Sequence, residues 1–297
     1  MRWHMDSRKS LSQRVPVWMA MPSIVLFSTL VILPAAMSIY FSLTSWDGLS
    51  PVMKFVGLQN YKDMMHDERF WNAFRNSIFL AVALTILENI VALGLSLLVA
   101  NVRKGKTFFR SIFYLPNLLS GIVTGYIWVA LMNYSFGVFN VALNKLGIAS
   151  VDWLGNPSLA LWSIIFVMVW KGAGYYMIIY IAGLNAIPKD ILEAADIDGA
   201  SPIRKFFSIT IPMLAGTFTI NLTLALINGL KVFDQIVAMT SGGPGFATET
   251  LTYQIYTVAF SEGKQGYGTA VAMVLFLLTM TFSVIQTKVT RHFEVEA

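Results

Sequence analysis

Four ionisable residues stand inside long apolar stretches of this chain: Glu88, Lys171, Lys231 and Asp234. A charge at mid-membrane or in a dry core is expensive, so each is a candidate for a polar pathway or a buried ion pair. Lys231 and Asp234 are three apart, which predicts one shared helix face and a pairing contact. That pair reads equally as a polar patch lining a solute route and as a neutralised contact between helices. Glu88 reads as a buried hydrogen-bonding group, with Asn89 or a neighbouring helix as its partner. Trp170-Lys-Gly-Ala-Gly-Tyr-Tyr176 interrupts its apolar stretch with glycines that permit close backbone approach and tyrosines that offer a flat face with a hydroxyl. Such a face suits a sugar ring. Small-residue helix packing, of which Gly121-x-x-x-Gly125 is a second instance, explains the same residues equally well.

Other chemistries find no support. Cysteine is absent, and the three histidines (His4, His66, His292) are scattered outside the apolar stretches, so a thiolate or histidine metal cluster is not expected. There is no G-x-x-x-x-G-K-[ST], H-E-x-x-H or G-x-S-x-G pattern, and no basic patch interleaved with aromatics for nucleic acid. Work against a gradient would have to draw on a partner or on ions.

The elements that hold these residues are membrane spans. The chain is 56% hydrophobic and 12% charged, far from a soluble domain. Six stretches reach the roughly 20 residues a spanning helix needs: 17–43, 77–102, 111–132, 159–186, 211–240 and 268–285. Pro22, Pro34, Pro116, Gly121 and Gly125 fall within them, which spanning helices tolerate. The first is longer than a typical signal core and reads as a retained span. The loops 44–76, 133–158 and 241–265 are too short to fold as domains. The organisation is therefore a tail (1–16), one membrane domain (17–288) with a polar loop at 187–212, and a second tail (289–297).

Basic residues orient the bundle. Arg2, Arg8, Lys9, Arg14, Arg103, Lys104, Lys106, Arg110, Lys189, Arg204, Lys205, Lys288 and Arg291 fall on the side of the N-terminus, 13 in all; Lys54, Lys62, Arg69, Arg75, Lys145 and Lys264 make 6 on the other. The asymmetry places both termini in the cytoplasm.

The loop at 187–212 has its own architecture. Pro188 can open a helix, Ile191, Ala194 and Ala195 share a face, and Gly199 offers a stop. Ser201-Pro202 is a cap followed by proline at the first helical position, restarting a helix toward Phe206, Phe207 and Ile209, with Pro212 opening the fifth span. The predicted shape is a cytoplasmic helix–turn–helix elbow. Asp190, Glu193, Asp196 and Asp198 disfavour docking on anionic lipid, which leaves a protein partner.

Glu193-Ala-Ala-x-x-Asp198-Gly199-Ala200, followed by Phe206, Ile209 and Ile211-Pro212, resembles the EAA loop of bacterial ABC-importer permeases. Phe55-Val-Gly-Leu-Gln-Asn-Tyr61, Phe70-Trp71, Asn76-Ser77, Arg110 through Pro116, Trp128, Phe233-Asp-Gln and Thr240-Ser-Gly-Gly-Pro-Gly-Phe-Ala-Thr248 resemble the carbohydrate-uptake branch, of the maltose-permease type. The resemblance covers essentially the whole chain. It implies an all-α membrane protein with six transmembrane helices in the type I ABC importer permease fold, without the extra N-terminal spans and large outer domain of the maltose relative. It also implies a non-catalytic subunit of the bacterial inner membrane. Its partners would be a second homologous permease, two ATPase subunits carrying ATP and Mg, and an extracytoplasmic solute-binding protein. Glu193, Ala194, Ala195, Asp198, Gly199 and Ala200 would couple to the ATPase, while Lys171, Gly172, Tyr175, Asn228, Lys231 and Asp234 would line the path of a carbohydrate. Lys171 departs from the apolar residue of the family pattern, and Lys231 stands where asparagines are expected nearby; both leave room for a larger, differently hydroxylated or acidic saccharide. The competing reading is a stand-alone ion-coupled carrier, which predicts an inverted repeat.

Overall fold

A computed structural model describes residues 20–102 and 104–292. The tail 1–16, the first three positions of the predicted first span, Arg103 and 293–297 lie outside the described residues, and with them Arg2, Arg8, Lys9, Arg14 and His4. Among the described residues the chain is helical, its one β feature an isolated antiparallel bridge between Thr44 and Phe55.

Four helices are long and apolar enough to cross a membrane unaided: α1 (Met21–Ser42), α3 (Glu68–Asn101), α7 (Pro157–Ala186) and α13 (Gln265–Arg291). Between them lie α2 (Gln59–Met65), α4 (Lys106–Leu118), α5 (Gly121–Leu131), α6 (Val138–Lys145), α8 (Lys189–Ile197), α9 (Pro202–Met213), α10 (Ala215–Leu230), α11 (Asp234–Met239) and α12 (Leu251–Tyr256). Local signals set several starts. The Asp67 side chain accepts from Arg69 N at 2.9 Å at the head of α3, and Asn156 does the same for Ser158 N ahead of Pro157 in α7.

Two of the six expected spans are bent. The 111–132 stretch breaks by 95° between α4 and α5, and the 211–240 stretch turns by 67° between α9 and α10. Each bent pair counts as one span only if its two halves are taken together. Leu119 and Ser120 adopt extended backbone, and Pro116 supplies no N–H to the end of α4. The second stretch also ends early: α10 stops at Leu230, and Phe233 (φ −136°, ψ −57°) separates it from the short α11. By contrast, Trp170 through Tyr176 do not interrupt α7, which is continuous through them.

Cross-helix contacts fix the relative directions. Phe79 packs on Trp162 with ring centroids 5.2 Å apart, and Asn89 accepts from the Tyr180 hydroxyl at 2.7 Å, so α3 and α7 run parallel. Gly183 lies against Leu214 and Thr217, while Gly229 lies against Ala81, so α10 runs back against both. Thr223 donates to Gln286 and Lys231 lies beside Ala272 and Leu275, which makes α13 antiparallel to α10. Asn60 Nδ2 donates to the Ser42 and Thr44 carbonyls, and Gly266 N donates to Trp46 O, joining the end of α1 to the start of α13. The Arg291 end of α13 therefore shares one end of the bundle with the 187–212 elbow and Lys104. Arg69 and Lys264 share the other.

Small residues make the crossings. A Cβ on Gly229 would lie 2.6 Å from Ala81 Cα, and one on Gly125 would lie 2.5 Å from Ala238 Cβ. The Gly121-x-x-x-Gly125 pattern is thus the groove that receives α11. Valine at Gly121, where a Cβ already falls 2.6 Å from Asp234 Cβ, is expected to cost about 1–3 kcal/mol by overpacking. A melting curve of the purified protein unchanged by Gly121→Val would show that α5 and α11 do not approach so closely. Along the outer surfaces, Leu30, Ile90, Leu98 and Phe276 are exposed, as helices facing hydrocarbon require.

Candidate functional site

The polar residues of α3, α7 and α10 converge on one cavity of about 180 Å³. Its lining comprises Glu88 from α3, Asn117 from the end of α4, Met168, Lys171, Gly172, Tyr175 and Tyr176 from α7, Asn228 from α10 and Gln235 from α11. The parallel course of α3 and α7 brings Glu88 level with Gly172. A Cβ at Gly172 would collide with Glu88 Oε1, so glycine is what lets the carboxylate reach the α7 backbone. Two residues on, Gly174 lies against the backbone of Phe113 in α4. Asn228 Nδ2 donates to the Tyr176 hydroxyl at 3.2 Å, bracing the cavity from the α10 side.

Four of the six pathway residues read from the sequence therefore meet: Lys171, Gly172, Tyr175 and Asn228. The other two do not join them. Lys231 caps the C-terminal end of α10 and lies exposed in a groove with Ala272, Leu275, Phe276, Thr279, Met280 and Ser283. Asp234 begins α11 and packs against Gly121. The predicted Lys231–Asp234 pair is corrected: it is not among the ion pairs of the described residues. The i, i+3 argument needs an unbroken helix, and the chain breaks between the two. Glu88 is likewise not bonded to Asn89, whose amide serves Thr85 O and the Tyr180 hydroxyl. Asn117 directly follows the quoted run that ends at Pro116, and Gln235 closes the quoted Phe233-Asp-Gln motif, but neither carries a pathway role in the sequence reading.

The second candidate surface is the elbow. Helix α8 ends at Ile197; Ala200 N donates to Ala195 O at 2.9 Å and Gly199 N to Asp196 O at 3.1 Å, the paired bonds of a left-handed C-terminal turn. Gly199 supplies the turn with φ +72°, and a Cβ added there would meet nothing within 4 Å. Ser201 Oγ accepts from Arg204 N at 3.3 Å, capping α9 with Pro202 in its first turn. Lys205 pairs with Asp196 across the turn. Pro188 stands one position earlier than expected, just outside α8. Glu193, Ala194, Asp198 and Gly199 are exposed, Ala200 is half-buried and Ala195 is buried. Ile197 (87% exposed), Ile203 (73%) and Phe207 (66%) stand out beside the acidic residues, an apolar and anionic surface left uncovered among the described residues.

The profile of the family described as "Binding-protein-dependent transport system inner membrane component" matches residues 90–295. The chain belongs to that family. A relative named "Probable starch degradation products transport system permease protein AmyD", from Thermoanaerobacterium thermosulfurigenes, is 36% identical over 93% of this chain and 93% of its own length. The "Trehalose/maltose transport system permease protein MalF" of Thermococcus litoralis is 34% identical over 92% of each. Among solved structures, a chain of a bacterial ABC transporter involved in the import of the acidic polysaccharide alginate superposes with a TM-score of 0.82 at 22% identity, covering 93% of this chain and 94% of that one. That likeness gives the fold: the all-helical architecture is shared with a chain of that transporter.

Proposed function

We propose that this chain is the permease subunit of an ATP-driven, binding-protein-dependent importer, forming half of the translocation pathway for a saccharide. The observation that carries this reading is the end-to-end similarity to permeases named for starch products, trehalose and maltose. The chain supplies no phosphate-binding loop, so hydrolysis falls to two ATPase subunits that hold ATP and Mg, and the chain itself is non-catalytic. A homologous second permease completes the pore, and an extracytoplasmic binding protein delivers the solute. Counting each bent pair as one span gives six, and the basic residues favour both termini inside, in a bacterial cytoplasmic membrane. On that orientation the elbow is cytoplasmic, with Glu193, Ala194, Ala195, Asp198, Gly199 and Ala200 as the ATPase-coupling segment. Lys171, Gly172, Tyr175 and Asn228 then form the polar stretch of the solute path.

The test is reconstitution. Proteoliposomes holding this chain with its second permease, ATPase pair and binding protein are expected to accumulate labelled saccharide only when ATP is enclosed with the ATPase. Uptake by this chain alone under an ion gradient would instead establish the ion-coupled carrier.

A further inference from the structure

The central cavity holds a cation that nothing at its wall balances. Lys171 lines it from α7, half-buried, and joins neither an ion pair nor a hydrogen bond among the described residues. Glu88 lines the same space from α3 but does not compensate it. The residue is 5% exposed, lies against Gly172, and likewise has no ion pair or hydrogen bond among the described residues. A buried carboxyl without a partner is held as the neutral acid, because burying an unpaired anion is far costlier than burying its protonated form. The rest of the polar wall is neutral and able to donate. Tyr176, 2% exposed, accepts from Asn228 and keeps its own hydroxyl proton uncommitted. The Tyr175 hydroxyl and the Asn117 and Gln235 amides are uncommitted too among the described residues.

Such a wall fits an acceptor that brings the missing charge with it. A carboxylate takes charge-assisted hydrogen bonds from the Lys171 ammonium and from the neutral donors, and the acid form of Glu88 adds one more. A sugar hydroxyl could meet the same donors, but it would cover the ammonium without a counter-charge. We propose that the cavity takes the acid group of an anionic saccharide, a uronate in chemical class, and that Lys171 is the residue that selects it. This assignment rests on the saccharide reading above and narrows it from saccharides at large to acidic ones.

The test compares acids with their own methyl esters, which keep the ring and lose the charge. Saturation-transfer NMR at millimolar ligand reads binding to the assembled importer in lipid nanodiscs. The probes are trimers of galacturonate, mannuronate and guluronate, each beside its methyl ester, with maltotriose as a neutral glucan. The wild type is expected to favour at least one acid over its ester by about tenfold or more, the worth of one hydrogen bond to a charged group. Lys171→Gln is expected to erase that preference and Lys171→Arg to retain it. Glu88→Gln sets a neutral amide at the wall and is expected to leave the preference within about threefold. Binding of the esters or maltotriose in place of the acids, or an unchanged preference in an intact Lys171→Gln complex, would overturn the assignment and leave the saccharide reading standing. A gain of about tenfold for the acids in Glu88→Gln would overturn it as well, by showing a carboxylate that already balances Lys171. So would loss of the second permease from the Lys171→Gln complex on purification, which would assign the ammonium to a contact between permeases. Binding of none of the probes would overturn the saccharide reading and this assignment with it.

Discussion

Glu249→Ala is expected to lower the stability of the purified protein by about 1–3 kcal/mol, the range for leaving a hydrogen-bonding group without its buried partner. The Glu249 side chain has no exposed surface. Arg69 Nε donates to its two oxygens at 3.1 and 2.9 Å, and Nη2 donates to Oε1 at 2.8 Å. The same guanidinium donates from Nη2 to Thr257 Oγ1 at 3.0 Å and lies 4.8 Å from the centre of the Phe246 ring. Removing the carboxylate leaves the Nε donor of Arg69 without its partner, while Glu262 remains as the counter-charge of a guanidinium that is a quarter exposed. Backbone clips hold the loop around it: Asn76 Nδ2 donates to the Ala247 and Glu249 carbonyls, and Leu251 N donates to Ser77 Oγ. The alanine variant therefore cannot relax by swinging the loop away.

Glu262 offers the internal control. It also binds Arg69, at 2.6 Å from Nη1, but it is a third exposed. Partial burial pushes its carboxyl up, and the hydrogen bonds from Arg69 and Lys264 outweigh that and hold it below the usual glutamate range. With its folded pKa depressed, its contribution is present at neutral pH and lost as pH falls through the acid range. Glu262→Ala should cost only about 0–1 kcal/mol. Thermal melting of the two variants side by side checks the ranking. A Glu249→Ala protein that melts with the wild type, or a larger loss at Glu262, would show that the buried pair is not what anchors the loop.

The elbow was legible in the sequence because its signals are local. Gly199, Ser201 and Pro202 each act within a turn of their own position, through a left-handed backbone, a side-chain cap and a missing N–H. The spans were legible in number of apolar residues, which is a statement about length in lipid and not about straightness. Nothing in 111–132 distinguishes a continuous helix from two helices at 95°, since Pro116 and Gly121 are tolerated either way. The expected Lys231–Asp234 pair fails for the same reason: i, i+3 spacing presupposes a continuous helix, and no residue type announces the break at Phe233. Pairs distant in sequence were beyond reach for another reason. Arg69 and Glu249 are 180 positions apart, and Glu88 meets Gly172 only because α3 and α7 run parallel. Hydrophobic pattern ranks which residues are inside without saying which of them meet.

Glu193→Lys is expected to reduce ATP-driven uptake by about thirtyfold or more while leaving the chain folded in the membrane, since reversing a charge at a docked surface costs at least about 2 kcal/mol. Glu193 is exposed and joins none of the ion pairs of the described residues, so its replacement should move intrinsic stability by no more than about 0.5 kcal/mol. The elbow keeps its shape without it, through the Ala200–Ala195 and Gly199–Asp196 backbone bonds, the Ser201 cap and the Lys205–Asp196 pair. Loss of uptake in this variant therefore reports on what the elbow touches. Gly199→Ala separates shape from contact. Open space surrounds that position, so alanine meets no clash and suffers only the left-handed backbone, about 1–2 kcal/mol. The expected order is a partial defect for Gly199→Ala and a near-complete one for Glu193→Lys, with the ATPase lost on co-purification in the second. If Glu193→Lys retains both its ATPase and wild-type uptake, the acidic face of the elbow is not the coupling surface. The exposed Ile197, Ile203 and Phe207 would then be the residues left to explain how ATP hydrolysis reaches the spans.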